Sequence, residues 1–529
     1  MEIIDYINSG ETFLGIELGS TRIKAVLTKP DGTPIAGGGH SWENSQVDGI
    51  WTYPLEEVIE GIQACYTDLK NTIRKEYGLN LKRFRAGGIS AMMHGYIAFD
   101  ADGKLLVPFR TWRNNITAEA SAALSELFNY PIPQRWSIAH LYQAILNGEA
   151  HTTEISSITT LAGWMHRKLT GTNVLGIGDA SGMFPIDTNT ANYNSSMLKA
   201  FDEKVSEKGF GWKLAELFPE VLPAGVSGGI LTAEGALLLD PSGDLESGIT
   251  FCPPEGDAGT GMVATNSVRQ RTGNVSAGTS VFAMIVLERE LSKTHEEIDL
   301  ITTPDGSLVG MAHSNNCSTE YSAWIELFGE AAKALGADID PANLYDSMMK
   351  LALTGDSDCG GLLAYGYHSG EHMTGFTEGR PLLVRRPGDS FTPANIIRAQ
   401  LFTSLCALRT GLDILTGQEN VTVDEIKGHG GFFKTPGVGE RIMAAALNTP
   451  ISVLSTAGEG GAWGIALLAG FIERENKSLS LPDYLDGIFA AGAGRTATPD
   501  RSDVEGFQKF FERYHEGLAI ERAAVENLK

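Results

Sequence analysis

Two short strings set glycine beside hydroxyl side chains between apolar runs: Gly19-Ser20-Thr21, followed by Arg22, and Gly278-Thr279-Ser280. Glycine lets backbone N–H groups come close to an anion and tolerates positive φ, and Ser or Thr adds a donor, so both strings are candidate phosphate sites. The common nucleotide motifs are missing. The nearest approach to G-x-x-x-x-G-K-[ST] is GHGGFFKT at 428–435, which carries Phe433 in place of the second glycine. No strand leads into G-x-G-x-x-G with a downstream acid, and neither a G-x-S-x-G elbow nor an H-E-x-x-H helix occurs. A P-loop fold, a dehydrogenase, a serine hydrolase and a zinc protease are therefore disfavoured.

Each string must sit at a hairpin tip. In residues 13–27, Leu14, Ile16 and Leu18 alternate before Gly19, and Ile23, Ala25 and Leu27 alternate after Thr21. Pro30-Asp31-Gly32 then marks a turn into a further short run. Residues 273–287 repeat the pattern, with Pro304-Asp305-Gly306 as the later turn, so the chain contains an internal structural repeat. A helix is expected over 54–76 and a third hairpin turning at Asp102-Gly103. Thr392 caps a helix whose first turn holds Pro393, and Ile397, Leu401, Leu405, Leu408, Leu412 and Leu415 follow at helical spacing before Gly417. The tail from about 499 is charged and helical in pattern. β-Meander followed by helix is an α/β layout, and two phosphate-type hairpins in duplicated halves imply a nucleotide clamped in a cleft between domains, where closure keeps water from ATP.

The chain has 529 residues, too many for one hydrophobic core, and two large domains are expected. With 42% hydrophobic and 20% charged residues it has a globular composition. Its net charge of -24 and the lack of basic blocks argue against nucleic acid as a partner. Cys65, Cys252, Cys317, Cys359 and Cys406 form no CxxC pair, so neither a disulfide framework nor a zinc knuckle is indicated. The acidic start, MEIIDYINSGETF, is unlike a signal peptide, and no apolar run approaches a membrane span. A cytoplasmic protein without membrane contact is expected.

GIELGSTRIKAVL, ISAMMHGYIAFD at 89–100, WMHRKLTG at 164–171, GDASGMFPID at 178–187 and PEGDAGTGM at 254–262 occur in that order. They are followed by GNVSAGTSVF, YHSGEHMTGF at 367–376, the Arg398-Ala399 helix, GHGGFFKTPGVGERIMAAALNTPI at 428–451 and GEGGAWGIALLAG at 458–470. This ordered series resembles the FGGY carbohydrate kinases. The resemblance implies two RNase H-like, actin-type ATPase domains with a catalytic cleft between them. Residues 1–267 would carry the sugar site, the base and the first phosphate loop, and 268–529 the nucleotide site and the helical tail. It implies ATP and Mg2+ as cofactors and a homodimer as the default assembly.

The resemblance assigns Asp257 as general base, a carboxylate able to take the acceptor's proton as the O–P bond forms. Outside that series, an Asp in a glycine-rich turn reads as a plain turn residue. Glu17 stands where the family usually carries an Asp that reaches magnesium, often through water; the longer carboxylate demands a shifted metal or an extra water. Read alone it is a surface-facing strand residue. Gly19, Ser20, Thr21 and Arg22 resemble the phosphate loop, with Arg22 offsetting γ-phosphate charge, and Lys24 reads as a solvated strand residue. In the second domain Gly278 and Thr279 would meet the nucleotide phosphates, and Gly430, Gly431 and Lys434 resemble the adenosine-side loop. Phe432 and Phe433 either flank adenine or pack the loop. Glu459, Gly460 and Gly461 read as a helix start shaped for packing.

Met93-His94-Gly95 resembles the substrate-touching M-H-G of xylulokinases, which favours a ketopentose over glycerol; otherwise His94 is a satisfied strand-end histidine. Trp112 and Arg113 fall where W-N-D-x-R is usual, but the chain reads WRNNIT, and Asn114 and Asn115 are candidate replacements for the missing acid. Asp257 is also the expected second metal-holding carboxylate. The implied reaction is ATP-dependent phosphorylation of a terminal sugar hydroxyl, xylulose first, with ribulose, gluconate or another polyol as alternatives. A catalytically quiet actin-type ATPase or sugar sensor is the reading of a different class.

Overall fold

A computed structural model describes residues 2–454, 460–490, 492 and 494–529; Glu459 lies outside the described residues. The first sheet begins as the alternation predicts. Phe13–Leu18 (β1) and Arg22–Thr28 (β2) pair antiparallel, Leu18 opposite Ile23. A turn closed by the Gly32 N–H on the Lys29 carbonyl at 3.0 Å leads into Pro34–Ser41 (β3), antiparallel to β2. Ala86–Ala91 (β4) joins β1 in parallel, Gly229–Ile230 (β5) lies antiparallel to Thr250–Phe251 (β6), and β6 is parallel to β4. Glu255–Gly256 (β7) runs beside the end of β4. The order is β5-β6-β4-β1-β2-β3. All six residues of β4 are buried, as a central strand covered on both faces requires.

The covering helices approach closely because the strands are rich in glycine. Leu55–Tyr77, with Glu56 and Glu57 in its first turn and Arg74 and Lys75 in its last, complements its own dipole and ends at Gly78 with φ 71°. A Cβ on Gly38 of β3 would stand 2.4 Å from the Cys65 carbonyl of that helix. On β1, a Cβ on Gly15 would stand 1.9 Å from the Ala462 carbonyl in the helix Gly460–Ile472.

The second sheet comprises Thr272–Ala277 (β8), Val281–Val286 (β9), Ile298–Thr302 (β10), Leu308–Ser314 (β11), Glu425–His429 (β12), Ile451–Leu454 (β13) and Gly494–Ala497 (β14). Its order is β10-β11-β9-β8-β12-β13-β14. Here β8 and β9 are antiparallel, β12 is parallel to β8, β13 is parallel to β12, and β14 is antiparallel to β13. With β10 set aside, the run β11-β9-β8-β12-β13 matches β3-β2-β1-β4-β6 of the first sheet, so the internal repeat seen in the sequence is a repeat of fold; the next strand differs, since β5 precedes β6 in the chain whereas β14 follows β13. Thr392 accepts the Asn395 N–H and Pro393 opens Pro393–Asp413 as expected. The tail is helical over Arg501–Glu516 and Leu518–Asn527. Asp503 ties it down by accepting from the buried Arg398 at 2.7 Å and from Arg441 at 2.5 Å.

The chain groups into two compact units, one of 1–268, 299–309 and 459–491, the other of 269–298, 310–458 and 492–529. A single division at 267/268 therefore marks only the first departure from unit one. The return at 459–491 has a plain cause: Gly460–Ile472 is buried from Gly461 to Ile472 and packs on β1 and β4. All five cysteines are buried and free. Among the described residues no helix is long and apolar enough to cross a membrane.

Candidate active site

Beyond β4 the chain turns sharply through Met93-His94-Gly95. His94 and Gly95 both take positive φ, 72° and 98°, a conformation uncommon for histidine that the surroundings must hold. The Gly95 N–H bonds to the Arg135 carbonyl at 3.3 Å, and His94 Nδ1 lies 3.2 Å from the Gly182 carbonyl. A carbonyl only accepts, so Nδ1 carries the proton and Nε2 presents its lone pair. Burial, and next the Arg135 charge, hold His94 well below the usual imidazole range, and it is neutral.

β7 pairs with Ser90 and Ala91 and delivers Asp257 to the first position of the helix Asp257–Ala264. The partly exposed Asp257 accepts the Met93 N–H on Oδ1 at 3.0 Å. Burial, and next the Glu17 carboxylate, push its pKa up to about 7. Glu17, on β1 opposite Lys24, is itself raised, chiefly by burial; Lys24 and the backbone of Ala462 and Gly461 oppose the rise. A Cβ on Gly461 would stand 2.6 Å from Glu17 Oε1 and 2.8 Å from Thr260 Oγ1, so glycine there admits the longer carboxylate. Lys24 is half-buried: a Cβ on Gly460 would lie 3.7 Å from both Lys24 Nζ and Glu17 Oε2. Its charge acts on the Glu17 carboxylate, which corrects its reading as a solvated strand residue.

Two buried carboxyls escaped the sequence reading. Glu255 accepts the N–H groups of Gly178 at 3.3 Å and Asp179 at 2.9 Å. It fills space that only glycine leaves, since Cβ atoms on Gly176 and Gly178 would come within 2.1 and 2.4 Å of its oxygens. Asp179 accepts from Thr160 at 2.6 Å and is pushed up to about 7, first by burial. Arg135 was also missed; it pairs with Asp299, and Trp136 beside it stacks on His94 with centroids 6.5 Å apart.

The other expected residues of the first unit have contacts of their own. Trp112 is exposed and donates from Nε1 to Ser20 Oγ at 3.3 Å, on the β1–β2 tip. Arg113 lies 4.3 Å over the Trp51 ring and donates to Asn44 at 3.0 Å, held on the 44–51 side. Asn114 is spent on structure: it accepts the Trp51 N–H at 2.9 Å and donates to the Trp51 carbonyl at 2.8 Å. Gly19, Ser20 and Thr21 form the β1–β2 tip, whereas the Arg22 guanidinium folds back over Gly39 of β3, where a Cβ would meet it at 2.3 Å.

In the second unit the tip holding Gly278 and exposed Thr279 is braced from behind: the Cys317 N–H bonds to the Thr279 carbonyl at 2.9 Å and the Ser318 N–H to the Gly278 carbonyl at 3.1 Å. Gly430, with φ 100°, lies so near β8 that a Cβ would stand 2.4 Å from the Ala277 carbonyl, which sets the 430–434 loop beside the tip. Gly431 faces open space and Lys434 is exposed. Phe432 and Phe433 are both buried, so of the two readings left open they pack the loop. Among the described residues no group of three or more His, Cys, Asp or Glu is arranged to hold a metal ion by itself.

The N-terminal domain of the FGGY family of carbohydrate kinases matches residues 12–239 and its C-terminal domain residues 273–472. A xylulose kinase of Haemophilus influenzae is 20% identical over 518 residues, spanning 95% of this chain and 98% of its own. The solved xylulose kinase of Lactobacillus acidophilus superposes with a TM-score of 0.77 at 16% identity, covering 98% of this chain and 99% of that one. The gluconate kinase of the same organism gives a TM-score of 0.77 at 17% identity and 98% of each chain. These likenesses show a two-domain, actin-type ATPase fold with mixed sheets, and the matched domains settle the family: the chain belongs to the FGGY carbohydrate kinases.

Proposed function

We propose that this sugar kinase transfers the γ-phosphoryl group of ATP to a terminal hydroxyl of a ketopentose, xylulose before others, with Asp257 as the base. One observation carries the reading: a partly exposed carboxylate, fixed by the Met93 N–H and poised near pH 7, beside a neutral histidine. As the acceptor oxygen bonds to phosphorus, its proton passes to Asp257, and the bond from phosphorus to the bridging oxygen breaks with its electrons leaving on ADP. Nε2 of His94 accepts from a second hydroxyl and orients the sugar. Glu17 and Asp257 offer hard oxygen ligands of the kind magnesium takes beside phosphate oxygens, so the residues fit the ion, Glu17 directly or through water. Bound with the nucleotide, magnesium would offset phosphate charge.

The acceptor rests on Met93-His94-Gly95 and on the Haemophilus relative named as a xylulose kinase. Gluconate is the second reading, because the gluconate kinase fold is as close as the xylulose kinase fold. An ADP-release assay over xylulose, ribulose, gluconate and glycerol separates them, and no turnover of any ketopentose sinks the first choice. Asp257→Asn keeps the Met93 hydrogen bond and removes the base; kcat should fall by about 100-fold or more. Unchanged activity would instead leave the quiet ATPase or sensor. A cytoplasmic homodimer completes the proposal, with light scattering as the check on assembly.

A further inference from the structure

A hairpin tip that binds phosphate through backbone N–H groups must turn its carbonyl oxygens away from the anion. At the first tip three consecutive carbonyls are tied off from one segment. The Gly19 carbonyl accepts from Trp42 Nε1 at 2.7 Å, the Ser20 carbonyl from the Tyr53 hydroxyl at 2.6 Å and the Thr21 carbonyl from the Trp42 N–H at 3.2 Å. The Gly19 N–H is used within the turn, on the Arg22 carbonyl at 3.1 Å. The N–H groups of Ser20 and Thr21 have no acceptor among the described residues.

The two clamping side chains pack on each other, the Trp42 and Tyr53 rings lying 4.4 Å apart. Tyr53 is buried, so its hydroxyl has little freedom besides this bond. The second tip reaches the same end with different chemistry, since its Gly278 and Thr279 carbonyls are capped by the backbone N–H groups of Ser318 and Cys317. Two unrelated sets of donors holding the carbonyls of both tips indicate that carbonyl orientation is what the surroundings enforce.

We infer that Tyr53 and Trp42 are positioning residues for the terminal phosphate of ATP: by holding the Gly19–Thr21 carbonyls they aim the Ser20 and Thr21 N–H groups at it. This rests on the reading of that tip as a phosphate loop, and the test separates the two. In calorimetric titrations of the full chain, Tyr53→Phe removes only the hydroxyl. It should weaken binding of a non-hydrolysable ATP analogue by about 3- to 10-fold, the worth of one hydrogen bond, and leave ADP binding and the sugar KM within about twofold. Thr21→Pro deletes one of the aimed N–H groups and should weaken the analogue further.

Native-like analogue binding by Tyr53→Phe, with Thr21→Pro impaired, overturns the positioning role while sparing the loop. Native-like binding by Thr21→Pro removes the loop reading and the inference with it. Equal weakening of ADP and analogue by Tyr53→Phe means general damage to the fold and also overturns the inference. Thermal melts of both variants identify any that has lost its structure, in which case Trp42→Phe takes the place of Tyr53→Phe.

Discussion

At Asp257, burial and the Glu17 carboxylate act in the same direction, and both disfavour the charged form. A raised pKa means that Asp257, the proposed base, still carries its proton below about 7. In the free enzyme kcat/KM for the sugar should therefore fall on the acid side with an apparent pKa near that value. Glu17→Gln removes the like charge, so the acid limb should move to lower pH; a limb that stays in place in a pH 5 to 9 profile would mean Glu17 does not tune the base. Asp257 was legible because its motif stands at a fixed place in an ordered series. Asp179 and Glu255 were not, because their importance lies in burial produced by contacts between residues some 76 positions apart. The legible trace was indirect: glycines at 176 and 178, where the Glu255 side chain needs the room. The setting of Arg113 was hidden for the same reason, as its stacking partner Trp51 lies on a strand far earlier in the chain.

Hairpins and capped helices are local objects, and the alternation around Gly19 and Gly278 and the Thr392-Pro393 start announced them. How elements touch is less legible. Gly460 and Gly461 read as a helix start shaped for packing, yet nothing in the sequence says which helix Gly460–Ile472 crosses. The crossing point is Gly464, where a Cβ would stand 2.0 Å from the Thr260 carbonyl of the helix that opens with Asp257. Thr260 in turn lies 2.9 Å from Ser90 Oγ on β4. Gly464→Ala must force these helices apart; urea unfolding should show a loss of about 1–3 kcal/mol or more. Because the displaced helix carries Asp257, the proposed base, kcat should drop as well. An unchanged midpoint would show that the contact yields freely.

For the whole molecule, length alone called for two domains, and the repeat placed one tip in each. The expected single boundary followed the order of motifs, whereas packing follows the cover that each sheet needs. A fragment ending at 268 would leave β1 and β4 without the Gly460–Ile472 helix. Such a fragment should lack near-ultraviolet circular dichroism, and co-expression with 459–491 should restore it. A native-like spectrum from the fragment alone would contradict the assignment of that helix to unit one.

The same return of the chain sets a clock on biosynthesis. The ribosome must release residues up to about 491 before the first unit can close. Through most of translation the face of β1 waits uncovered, at a stage when exposed apolar strands are prone to association. The first unit to emerge is thus completed late, and the yield of active enzyme should depend more on chaperone supply during synthesis than on the stability of the finished protein.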